Sequence, residues 1–201
     1  MEYLSGYYWQ QGDVRTSLVL KQLVYHEGGV PVLFGCMQSC GNGKLVEVLT
    51  DWFYQEGLQL CRRRGVEPER LEMSLKRVIP NSRDKDLSFT VLLCVDDCFL
   101  LWNQGKQSAY LLNTRFGRPC AKCVAAGKEE KVIVGKLQQE VGILVVTEGF
   151  GEGLSLQQIR ECLAVGELHS EERVHKRMQE LGRKACELGG QHVGALLAVT
   201  C

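Results

Sequence analysis

Three short apolar runs follow one another between Leu87 and Asn113: Phe89 to Val95, Cys98 to Trp102 and Ser108 to Leu112. The turn residues Asp96-Asp97 and Gln104-Gly105-Lys106 separate them. Runs this short, apolar and bounded by Asp and Gly, read as strands rather than helices. Connections of two or three residues join only antiparallel neighbours, so the spacing predicts a meander closed by hairpins. A Gly-, Lys- and Cys-containing loop is expected from Asn113 to Glu130, then strands at Lys131 to Val134, Gly142 to Val146 and Val193 to Thr200.

Helical periodicity lies between and after these runs. From Lys44 to Arg64 the apolar residues Leu45, Val48, Leu49, Trp52, Phe53 and Leu60 recur at helical spacing, and Arg62-Arg63-Arg64 would complement a helix C-terminus. A second helix starts near Pro68, a favoured first-turn residue, and carries Leu71, Leu75 and Val78 on one face before Pro80. Ser155 with Gln158 matches a capping box for a short helix. A last helix follows Ser170, with Glu171 and Glu172 in its first turn, Val174, Met178, Leu181 and Leu188 along one side, and a stop at Gly189-Gly190. Strands joined by hairpins with helices inserted between them predict an α+β fold: two antiparallel sheets packed face to face and covered by helices.

The chain has 201 residues, the size of one domain with a sizeable core, so residues 1–201 are read as a single domain. Its 24 basic and 24 acidic side chains cancel, which gives no bulk reason to expect nucleic acid or a membrane as partner. No stretch has the order of a signal peptide, and the apolar runs fall short of a membrane span, so a cytoplasmic protein is expected.

Ten cysteines raise two other chemistries. Cys120-Ala121-Lys122-Cys123 is a C-x-x-C, and with Cys36 and Cys40 it would supply four zinc ligands if the fold united them. The competing reading, favoured by the loose spacing, is reduced cysteines acting as small apolar residues. The segment Cys36 to Lys44 also has the glycines of a phosphate-cradling loop, but it lacks the Arg a cysteine phosphatase places after five intervening residues.

A further set of segments is ordered along nearly the whole chain. Asn103-Gln104-Gly105-Lys106-Gln107-Ser108-Ala109-Tyr110-Leu111-Leu112 resembles the N-x-G-D-S-R-A-Y-L-L strand of the metal-dependent serine/threonine protein phosphatases, the PPM family. Ile143 to Phe150 is similar to that family's apolar strand ending in T-D-G, and Gly189 to Leu197 to its closing G-x-D-N-I-T-A-L-L. Arg15 to Leu20 resembles R-x-x-N-E-D, and Gly35-Cys36-Met37-Gln38-Ser39 resembles D-G-M-G-G. The resemblance implies a four-layer α-β-β-α sandwich.

It also implies where metal-binding carboxylates would stand, and here those positions hold Leu20, Gly35, Lys106, Glu148 and Gln191. Two hard divalent cations need several anionic oxygens to activate a bridging water. Only Glu148 supplies one. The expectation is therefore a pseudophosphatase with no catalytic residue, metal or cofactor, which binds a protein partner or a phosphorylated peptide and regulates it. Arg15 matches the family's phosphate-binding Arg, and a guanidinium can hold phosphate without metal; it also reads as an ordinary surface Arg. The alternative is an active phosphoserine or phosphothreonine phosphatase using Mn2+ or Mg2+ at a diverged site drawn from Asp13, Asp96, Asp97 or Glu148. His192, beside Gln191, is one further candidate ligand.

Overall fold

The computed structural model describes residues 2–10, 19–27, 30–39, 44–61, 68–79, 87–127 and 130–201. Its strands are β1 (Tyr3–Gln10), β2 (Val19–Glu27), β3 (Val30–Gln38), β4 (Phe89–Val95), β5 (Cys98–Gln104), β6 (Ser108–Arg115), β7 (Arg118–Ala125), β8 (Lys131–Lys136), β9 (Gly142–Val146) and β10 (Val193–Thr200). One sheet has the order β1-β10-β9-β6-β7 and the other β2-β3-β4-β5-β8, with antiparallel pairing throughout.

The strands' near-continuous apolar runs follow from burial on both faces. In β4, Phe89, Val91, Leu93 and Val95 enter a core shared with the first helices. Leu92 and Cys94 point the other way, into the layer between the sheets. The alternation repeats in β10, where Val193, Ala195, Leu197 and Val199 meet the later helices and Leu196 and Ala198 face the seam. Helices α1 (Lys44–Trp52), α2 (Leu58–Cys61) and α3 (Pro68–Val78) cover the second sheet. The first sheet is covered by α4 (Glu148–Gly153), α5 (Leu156–Cys162) and α6 (Glu171–Glu187). The result is the four-layer α-β-β-α sandwich.

Capping signals act where the sequence places them. Ser155 accepts from the Gln158 amide while the Gln158 side chain accepts from the Ser155 amide, and Ser170 accepts from the Arg173 amide at the start of α6.

Three expectations are corrected. Gln104-Gly105-Lys106 is not a hairpin turn: β5 lies in one sheet and β6 in the other, so the chain crosses between sheets there. The expected loop from Asn113 to Glu130 contains β7, a polar strand at the sheet edge that pairs, among the described strands, with β6 alone. A π-helical turn, Phe53–Gly57, interrupts the long first helix. The extra residue in that turn rotates the buried stripe, so Leu58 and Cys61 enter the core, and Val48 is exposed in α1. Leu188, past the end of α6, is exposed as well.

The zinc grouping does not form from the residues described. Cys36 is fully buried beneath the helices of one sheet, whereas Cys120 and Cys123 lie on β7 at the edge of the other. Cys40 lies outside the described residues, as do Arg62, Arg63 and Arg64. Among the described residues no helix is long and apolar enough to cross a membrane.

Candidate functional site

One pole of the sandwich gathers the end of β3, the start of β4, the end of β5, the start of β6 and the junctions of β9 with α4 and of the 189–192 turn with β10. The crossing 105–107 passes over it. Gly105 is needed at the apex, since its φ is +85° and an added Cβ would lie 2.7 Å from Ser88 Cα. The Lys106 amide then donates to Ser88 Oγ at 3.0 Å.

Beneath Lys106 lies a buried polar network that the sequence reading did not single out. Gln107, fully buried, donates from Nε2 to Ser39 Oγ and Ser88 O at 3.3 Å and to Met37 O at 3.4 Å. Its Oε1 contacts Thr90 Oγ1, which is also 2.6 Å from Asn103 Oδ1; the single hydroxyl proton serves one acceptor at a time. Asn103 Nδ2 donates to Gln107 O at 3.0 Å. The network ties β3, β4 and β5 to the crossing. The available signal was Thr90 and Asn103, polar residues in otherwise apolar strands, opposite each other in register.

Across the seam, Thr147 knots the other side. Its hydroxyl donates to His192 O at 2.8 Å and accepts from the Gly194 amide at 3.0 Å, while its carbonyl receives Phe150 and Gly151 amides as α4 begins. Gly149 packs directly on the turn before β10: a Cβ there would sit 1.7 Å from Gln191 O. These contacts set Glu148 beside Gln191 and His192, the latter in left-handed backbone at φ +52°.

Lys106 and Glu148 meet. Lys106 Nζ is 2.8 Å from Glu148 Oε2, with side chains 51 % and 47 % exposed. Gln191 lies next to this pair and is exposed. Gly35 does not reach the pole's surface; it sits in β3 opposite Leu92, and a Cβ would be 3.4 Å from Leu196 Cδ1 in the apolar seam. Leu20 pairs with Met37 in β2. Arg15 and Asp13 lie outside the described residues.

Asp96 and Asp97 are not part of this pole. They turn the β4–β5 hairpin at the far end of β4, about 20 Å away at roughly 3.3 Å per residue. There the Asp97 carboxylate accepts from Cys98 Sγ at 3.2 Å and pairs with Lys136 Nζ at 3.4 Å, and these partners hold its pKa below the ordinary carboxylate value. Burial pushes the Cys36 thiol up to about 12, so it remains protonated and is no nucleophile at neutral pH.

Among the described residues no three His, Cys, Asp or Glu side chains converge to hold a metal. Glu148 is the one carboxylate among the aligned positions, and it is engaged by an ammonium. This donor set does not fit a pair of hard divalent cations.

The architecture is that of the PPM-type, or PP2C, serine/threonine phosphatases. The chain is similar to the catalytic domain of the serine/threonine phosphatase PstP solved in complex with two manganese ions, at TM-score 0.63 and 14 % identity, covering 98 % of this chain and 96 % of that one. It is similar to the S. agalactiae serine/threonine phosphatase at TM-score 0.65 and 14 % identity, covering 99 % of this chain and 100 % of that one. It is similar also to PppA, a regulatory component of T6SS in Pseudomonas aeruginosa, at TM-score 0.64 and 15 % identity, covering 100 % and 99 %. At such identities the likeness establishes the fold. No protein-family model matches the chain, and no curated protein matches it in sequence.

Proposed function

We propose that residues 1–201 form a single phosphatase-shaped pseudoenzyme, a cytoplasmic binding or regulatory module that engages a protein partner or a phosphorylated peptide without hydrolysing it. The observation that carries this reading is the 2.8 Å contact between Lys106 Nζ and Glu148 Oε2 at the seam of the two sheets. A side-chain ammonium neutralises the one carboxylate among the aligned positions, and a divalent cation approaching Glu148 would meet that charge. Gln191 offers a neutral oxygen, and Gly35 and Leu20 offer no side-chain donor. On this reading neither nucleic acid nor a membrane is the ligand of this pole, no cofactor is used, and Arg15 contributes a guanidinium to phosphate binding.

The test is calorimetric titration of manganese and magnesium into chelator-treated protein, with a phosphopeptide hydrolysis assay on the same sample. No binding and no turnover is expected from wild type. Glu148→Ala should leave both unchanged and alter stability by no more than about 1 kcal/mol, as for an exposed ion pair. Micromolar binding of about two manganese ions with metal-dependent turnover would instead establish an active phosphoserine or phosphothreonine phosphatase.

A further inference from the structure

Overall neutrality conceals a local imbalance. From Cys98 to Lys128 the sequence contains five Lys or Arg and no Asp or Glu. Three of these cations, Arg115, Arg118 and Lys122, are exposed on the β6–β7 hairpin and make no ion pair among the described residues. Arg115 and Arg118 are direct cross-strand partners, a like-charge pairing that disfavours the hairpin.

Between them the two turn residues are Phe116 and Gly117, with φ of +51° and +72°. This conformation favours Asn or Gly, and a bulky aromatic is an outlier in it. The Phe116 side chain is also fully exposed, so it contributes nothing to the core. Three features thus work against the hairpin's own stability, and together they present an exposed phenyl group flanked in the chain by Arg115 and Arg118, with Lys122 further along β7.

We propose that this tip is a membrane-contact site, in which Phe116 enters the headgroup boundary of an anionic bilayer while Arg115, Arg118 and Lys122 engage lipid phosphates and carboxylates. A protein interface of ordinary size would need an apolar patch around the anchor. Phe116 instead is the one large exposed apolar side chain of the hairpin, between two arginines in sequence, on a two-residue turn. An interfacial contact requires only an apolar group at shallow depth and basic residues beside it. The tip lies at the opposite end of β6 from Lys106, so membrane contact there leaves the proposed cleft open. This runs contrary to the expectation drawn from overall charge.

The full chain should float with unilamellar vesicles of phosphatidylcholine containing about 30 % phosphatidylserine, and not with phosphatidylcholine alone, and raising salt should release it. R115Q/R118Q should weaken partitioning by about 25-fold, roughly fivefold per charge. F116N should weaken it by at least about tenfold, with an unchanged or raised melting temperature because Asn suits the left-handed turn. Binding retained by both variants, or equal binding to neutral and anionic vesicles, would overturn the proposal. So would a complete lack of vesicle binding, which would leave the tip to a protein socket.

Discussion

Replacing Gln107 with Leu removes the side chain that joins the sheet crossing to β3 and β4, and its effect can be worked from the contacts. Leucine is similar in size and cannot hydrogen-bond. Lost are one bond at Oε1, to Thr90, and two N–H donors spread over three contacts of 3.3 to 3.4 Å. Two partners keep other bonds: Ser88 O still accepts from the Ser39 amide at 2.9 Å, and Thr90 Oγ1 still reaches Asn103 at 2.6 Å. The orphan penalty is therefore small. At about 1 kcal/mol for each of roughly three bonds, offset in part by the apolar replacement, the loss should be about 2–3 kcal/mol. For a domain of this length that corresponds to a fall of about 4–12 °C in melting temperature. Thermal denaturation followed by circular dichroism, with urea titration for the free energy, measures it. A double-mutant cycle with Thr90→Val should give a coupling of at least about 0.5 kcal/mol. If Gln107→Leu changes stability by less than about 0.5 kcal/mol, the buried network does not hold the crossing, and the account of why Lys106 is fixed is wrong.

The remaining expectations concern backbone contact and pH. Gly149→Ala drives a Cβ to 1.7 Å from Gln191 O, so α4 must move and the loss should exceed about 3 kcal/mol, whereas Gly151→Ala, whose Cβ meets nothing within 4 Å, should fold normally; paired thermal melts decide this. Burial raises Cys36 and Cys61 to about 12 and also raises Cys94 and Tyr3. A raised folded pKa gives stability that is complete below the unfolded value and lost as pH rises toward the folded one. Urea midpoints should therefore be flat through neutrality and fall above about pH 9, by up to about 1.4 kcal/mol per pH unit for each group. A flat profile to pH 11 would contradict the burial of these groups.

Much of the fold was legible because its information is local. The Ser155 and Ser170 caps, the Asp96-Asp97 hairpin and the doubly buried β4, β9 and β10 each announce themselves within a few residues. β7 did not, because an edge strand carrying Arg118, Pro119 and Lys122 lacks the apolar signature that burial imposes. The β5–β6 connection was misread for another reason. A tight Gly-containing link looks the same whether the next strand pairs with its predecessor or crosses to another sheet, and that choice is made by distant partners such as β9. The site was legible as a set of residue types at aligned positions. That Lys106 would close on Glu148, 42 residues later, was not, since it depends on two loops meeting across the seam. The Gln107 network was equally hidden, because its partners come from three separate segments, 37–39, 88–90 and Asn103.

The place of β10 in its sheet bears on how the chain is made. It is the last strand in sequence, yet it lies between β1 and β9, pairing Tyr3 with Thr200 on one side and Val199 with Gly142 on the other. On a ribosome, β1 would therefore lack its neighbour in the sheet until β10, some 180 residues later, had been synthesised, and its apolar residues would wait exposed. The β2-β3-β4-β5-β8 sheet has no such dependence, since its strands are complete by Lys136. Assembly should thus be two-staged, with one sheet able to form once β8 has emerged and the other only once β10 has followed. Pairings of such long sequence separation close slowly, and the interval between the stages is when this protein would most need a chaperone.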